Sequence, residues 1–140
     1  MDALFLIGRI MFGFIFILPG LRLHIVGRAQ GIHLAKMKGA PFPEFMVPFA
    51  GVAIVAGGLS IALGIWADIG ALILCAYLLA ITPIIHAFWK ETDPWQQQLE
   101  SANFAKNMGL VGAGLILFYA LNQLQGGAGL LITDPLIGLL

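Results

Sequence analysis

At 140 residues the chain has room for one domain, and 60% of it is hydrophobic against only 10% charged. Soluble domains carry roughly 45–50% apolar and about 25% charged residues, so a water-soluble fold is excluded and lipid takes the place of water. Seven basic residues balance seven acidic ones, which excludes a nucleic-acid partner; the single Cys75 excludes an internal disulfide and dithiol chemistry.

A membrane-crossing helix needs about 20 mostly apolar residues, and four stretches qualify. The first covers residues 3–23, with Arg9 inside it and Pro19-Gly20 near its end. It lacks the basic start and small-residue cleavage site of a signal peptide, so it is expected to be retained. Residues 22–39 are basic and weakly amphipathic, which predicts a helix in the interface plane, with Arg22, Arg28, Lys36 and Lys38 at head-group level. After Pro41-Phe42-Pro43 comes a second span over 45–66, which contains no charge and carries the small-residue pairs Ala53/Gly57 and Ser60/Gly64.

The third span, 68–88, follows almost without a loop, and Asp68 is placed to cap its first turn. An acidic, glutamine-rich loop over 89–103 leads to the fourth and shortest span, 104–121, with Ala105, Gly109 and Ala113 on one stripe as a packing face. Gly126-Gly127-Ala128-Gly129 then breaks the chain before an apolar tail. Residues 126–140 are too few to cross a bilayer and are expected to lie on the membrane or against a partner. The pattern predicts an all-α membrane protein, an antiparallel four-transmembrane-helix bundle with an interfacial segment between helices 1 and 2. Arg22, Arg28, Lys36, Lys38, Lys90 and Lys106 share one side against Arg9 at most on the other. This bias puts both long loops in the cytoplasm and both termini outside.

The loop side also holds the candidate chemistry. His86 stands four residues after Thr82 and three before Trp89, a spacing that shares one helix face. His86 is a candidate donor to a quinone carbonyl and Trp89 a stacking surface, with Asn103, Lys106 and Asn107 as a polar rim. The competing reading makes His86 and Trp89 head-group anchors. Arg9 is a full charge inside an apolar run. Such a charge costs at least ~2.5–3.5 kcal/mol and calls for a partner; Asp68, on the same side, is the candidate. No spacing resembles a zinc site, and a bis-histidine haem would need His24 and His86 to face each other, so no metal is expected.

Several of these stretches together resemble the DoxX family of small four-helix membrane proteins. They are Arg9 with Gly20, the run from Gly31 to Pro41, Gly57-Gly58-Leu59 with Gly64, His86-Ala87-Phe88-Trp89, and Asn103-Phe104-Ala105-Lys106-Asn107. The resemblance runs to about Asp134. It departs from the family where a glutamate often precedes the paired glycines, here Ala53-Ile54-Val55-Ala56, and where a lysine follows the first span, here replaced by Arg22. The family includes a subunit linked to thiosulfate:quinone oxidation, others tied to membrane redox complexes and oxidative stress, and more distant assembly factors and adaptors. The resemblance therefore implies a bacterial inner (cytoplasmic) membrane location and a membrane-anchor subunit of a quinone-linked oxidoreductase, with quinone as the candidate cofactor. The alternative is a non-catalytic structural, assembly or adaptor subunit. Expected partners are the bilayer and either other membrane subunits or copies of this chain.

Overall fold

In the computed structural model, which describes residues 1–124 and 128–137, every regular element is helical. The opening apolar run forms α1 (Asp2–Pro19) and passes directly into a π-helical turn, Gly20–Val26. Pro19 has no N–H to offer the ladder at this point, and Gly27 closes the wider turn by donating to the Arg22 carbonyl at 2.8 Å. The basic segment forms α2 (Arg28–Met37), as its pattern predicts. Then follow α3 (Pro43–Leu63), α4 (Ala67–Ile85), a 3₁₀ turn over Phe88–Lys90, and α5 (Pro94–Gln123).

Four helical stretches are long and apolar enough to cross a bilayer. Leu4, Met11, Phe14, Phe49, Val52, Ile116 and Tyr119 all point outward, exposed. So much outward apolar surface belongs against lipid, and the chain is an integral membrane protein.

The helices pack in the order α1, α3, α4, α5. Glycines set the distances, because lipid gives no hydrophobic drive between helices and close backbone approach must supply the attraction. Gly57 and Gly58 face opposite ways across α3. A methyl group on Gly13 of α1 would collide with the Gly58 carbonyl oxygen, and one on Gly70 of α4 would stand 2.8 Å from that of Gly57. On the far side of α4, buried Cys75 donates to the Val111 carbonyl of α5 at 3.6 Å. Among the described residues, α1 and α5 make no comparable contact. They leave a seam, narrowed at its middle where a methyl on Gly114 would lie 3.6 Å from the Phe12 ring.

Three expectations are corrected. The fourth helix is the longest, not the shortest: α5 starts at Pro94, where Asp93 accepts from the Gln96 N–H at 2.8 Å and proline fills a first-turn position that needs no donor. Asp68 does not cap α4. Its Oδ2 accepts instead from the Ile137 N–H at 2.8 Å.

The third correction concerns the tail: residues 128–137 fold onto the chain's own bundle, and the rest of the expected 126–140 segment lies outside the described residues. Ile132 and Thr133 donate to the Gly64 carbonyl at 3.0 Å each, and Thr133 Oγ1 accepts from Trp66 at 2.8 Å. The turn between α3 and α4 admits this close approach because Gly64 takes φ 73°, a left-handed conformation that costs glycine little.

Candidate functional site

A cavity of about 570 Å³ opens in the loop-side half of the seam, a volume typical of small-molecule sites. Its walls are mostly aliphatic. Six ionisable or amide side chains line it from four helical elements: His24 from the π turn, Gln30 from α2, Tyr77 and His86 from α4 and its end, and Lys106 and Asn107 from α5. The π turn reaches it because α3 has Gly51 there; a methyl at that position would stand 2.5 Å from His24 Cβ.

At the inner end, His24 Nε2 and Tyr77 Oη lie 3.3 Å apart, while His24 Nδ1 is 3.4 Å from the Pro19 carbonyl. Nearer the mouth, Asn107 donates to Thr82 Oγ1 at 3.1 Å, both side chains buried. At the mouth itself His86 Nδ1 meets Glu100 Oε2 at 2.6 Å. Lys38, from the end of α2, donates to Glu100 and Glu91 at 2.8 Å each. This network ties α2, α4, α5 and their loop together around the cavity entrance.

His86, Lys106 and Asn107 therefore come together as the sequence pattern suggests, whereas Trp89 and Asn103 do not join them at the cavity. α4 ends at Ile85, so the helical spacing that would align Trp89 with His86 stops there. Trp89 packs edge-on against Phe88 and Phe104, centroids 5.1 and 5.8 Å away, and Asn103 accepts from Lys106 at 3.1 Å. Of the basic segment, Arg22, Arg28 and Lys36 are exposed, Lys36 pairing with Glu44 at 2.6 Å, while Lys38 turns inward. The Tyr77 partner of His24 and the Glu100 partner of His86 are absent from the sequence reading. Glu100 lies seven residues before Asn107, two turns along α5, so a helix started at Pro94 would have pointed to it.

The hydrogen bonds that Lys38 donates to Glu100, then to Glu91, hold its ammonium above its ordinary range, against a smaller desolvation effect. A pKa raised by folding contributes stability that is complete below the unfolded value of 10.5 and lost as pH rises through the folded one. Lys38→Met is expected to lower stability by about 1 kcal/mol, since the network is only partly screened from water. Melting in detergent micelles should show a gap from wild type that is constant below pH 10.5 and closes above it. A gap that widens with alkali would contradict the assignment.

The far end of the molecule holds the intramembrane charge. Arg9 is 1% exposed and donates to three carbonyls: Ile61 at 3.3 Å, Gly129 at 3.0 Å and Leu130 at 2.9 Å. It forms no ion pair with Asp68 among the described residues, although both contact the tail. Backbone carbonyls replace the expected carboxylate.

The arrangement of Arg9 in α1, paired glycines in α3 and a histidine closing α4 agrees with a family comparison, in which the DoxX model matches residues 4–87. The chain belongs to the DoxX family. The match takes in α1 to α4 and stops before the Asn103–Asn107 stretch, so α5, which supplies Lys106, Asn107 and Glu100, lies beyond it. No curated protein and no solved structure matches the chain.

Proposed function

We propose that this DoxX protein is a membrane-anchor subunit of a quinone-linked oxidoreductase and takes a quinone head group into the loop-side cavity. The observation that supports this reading is the apolar cavity with His86, Lys106 and Asn107 gathered at one end and the His24–Tyr77 pair at the other. Aliphatic walls suit a hydrophobic ring, and the few polar groups suit its oxygens. When bound, a quinone supplies a carrier for two electrons and two protons, the electrons coming from a partner subunit.

The chain's own residues handle the protons. With Nδ1 turned to Glu100, His86 keeps Nε2 for a ligand. Bare, Nε2 accepts from a hydroxyl; protonated, it donates to a carbonyl. The Lys38–Glu100–His86 chain leads from the partly buried network to the cavity. On this reading the protein sits in the bacterial inner membrane with the network facing the cytoplasm, as the basic loops favour.

The test is quinone retention. Native mass spectrometry of protein extracted in mild detergent should find bound quinone in the wild type and about tenfold less in His86→Ala and Asn107→Ala, each tenfold step being about 1.4 kcal/mol. Equal retention by both variants would sink the proposal.

One observation favours the assembly reading instead. Ala105, Gly109 and Ala113 do not pack within the chain: all three are exposed, and a methyl on Gly109 would meet nothing within 4 Å. Such a stripe suits the close approach of another membrane helix. Partners without redox centres in the same spectra would move the assignment there.

A further inference from the structure

The tail-side half of the α1–α5 seam holds a second cavity, of about 460 Å³, with Leu4, Phe5, Gly8, Leu117 and Leu124 among its walls. Arg9 and Asp2 bring the charges to its lining. The Asp2 carboxylate accepts from the Gly129 N–H at 3.2 Å. The Arg9 guanidinium is permanently charged and nearly inaccessible; among the described residues it bonds only to neutral carbonyls, and its Nε has no partner. The Phe5 ring lies 5.5 Å from its central carbon, which softens the charge without neutralising it. Among the described residues no carboxylate, Asp2 included, lies within ion-pair distance of Arg9, and an unpaired cation in apolar surroundings is a costly arrangement. The adjoining cavity is the place from which a counter-anion can come.

We propose that this cavity binds an anionic amphiphile, with its carboxylate or phosphate head at Arg9 and its alkyl chain along the seam. The apolar walls account for the chain. Leu4 at the rim is exposed to the lipid side, so an acyl chain can enter from the bilayer. Gly8 leaves the floor open: a methyl built there meets nothing within 4 Å. The site is independent of the quinone cavity, which lies beyond the Phe12–Gly114 narrowing.

The experiment uses the full chain in an uncharged maltoside detergent, titrated separately with phosphatidylglycerol, oleate and phosphatidylcholine and read by native mass spectrometry. The expected result is one phosphatidylglycerol or oleate per chain, retained about tenfold better than phosphatidylcholine, a factor of roughly 1.4 kcal/mol. Whichever of the two anions is held more tightly identifies the head group as phosphate or carboxylate. Gly8→Leu fills the cavity while leaving Arg9 and its carbonyls in place, and should remove that preference; Arg9→Gln should do the same if it folds. Phosphatidylcholine held as well as phosphatidylglycerol, or a Gly8→Leu protein that keeps the preference, overturns the proposal. So does displacement of the bound lipid by inorganic phosphate alone, which would make this a site for a free anion.

Discussion

Gly13→Leu is expected to destabilise the bundle by about 3 kcal/mol or more, the upper end of what overpacking costs. A side chain at Gly13 meets the Gly58 carbonyl and, at 3.2 Å, the Ala62 methyl, and the Gly58 position is reciprocally closed by the Gly13 carbonyl and Ile17 at 2.8 Å each. Two backbones form this contact, so no rotamer change relieves it; α1 must move away from α3. Gly8→Ala is the control on the same helix. Its methyl meets nothing, and alanine is the better helix former, so it should fall within about 0.5 kcal/mol of wild type. Unfolding titrations in mixed micelles measure both. Similar midpoints for the two variants would mean that glycine contact does not set the α1–α3 distance. Because α1 supplies part of the cavity wall through Ile15, Phe16 and Pro19, Gly13→Leu should also lose quinone on the proposed reading.

The parts of this fold that follow from hydropathy and small-residue spacing were legible, and the parts that follow from cross-helix geometry were not. The spans over 3–23, 45–66 and 68–88 lie within a few residues of the observed helices, because lipid exposure demands a continuous apolar run. For the same reason the apolar run that marks the fourth span begins at residue 104, ten residues after α5 itself starts. Its 30 residues run about 45 Å at 1.5 Å each, well beyond a hydrocarbon core of about 30 Å. The polar first turns carry no hydropathy signal, although Asp93-Pro94 is a legible start. Missing those turns hid Glu100, and with it the hydrogen bond that orients His86. The His24–Tyr77 pair joins residues 53 apart in sequence, and no local pattern announces it. An arginine inside an apolar run calls for partners, but a backbone carbonyl looks the same in every residue, so no pattern names the ones that Arg9 takes.

That last point sets the second large effect. Truncation after Leu124 is expected to destabilise the bundle by on the order of 3 kcal/mol, the range for stripping partners from buried charges. Sequence pattern alone places the tail on the membrane or against a partner. The contacts say otherwise. Without the tail, Arg9 keeps only the Ile61 carbonyl, Asp68 loses its N–H donor while its Oδ1 already has none, and the Gly64 carbonyl loses both donors. Asp68 is fully buried at the start of α4 and Arg9 is 1% exposed in α1, so the cost falls on two helices at once. Asp68→Asn separates charge from hydrogen bonding: an amide oxygen can still accept from Ile137, so this variant should retain most of the stability that truncation removes. Melting curves of the three proteins in one detergent decide the matter. If the truncated chain melts with the wild type, the tail is a surface appendage and the two buried charges are stabilised by the helices alone.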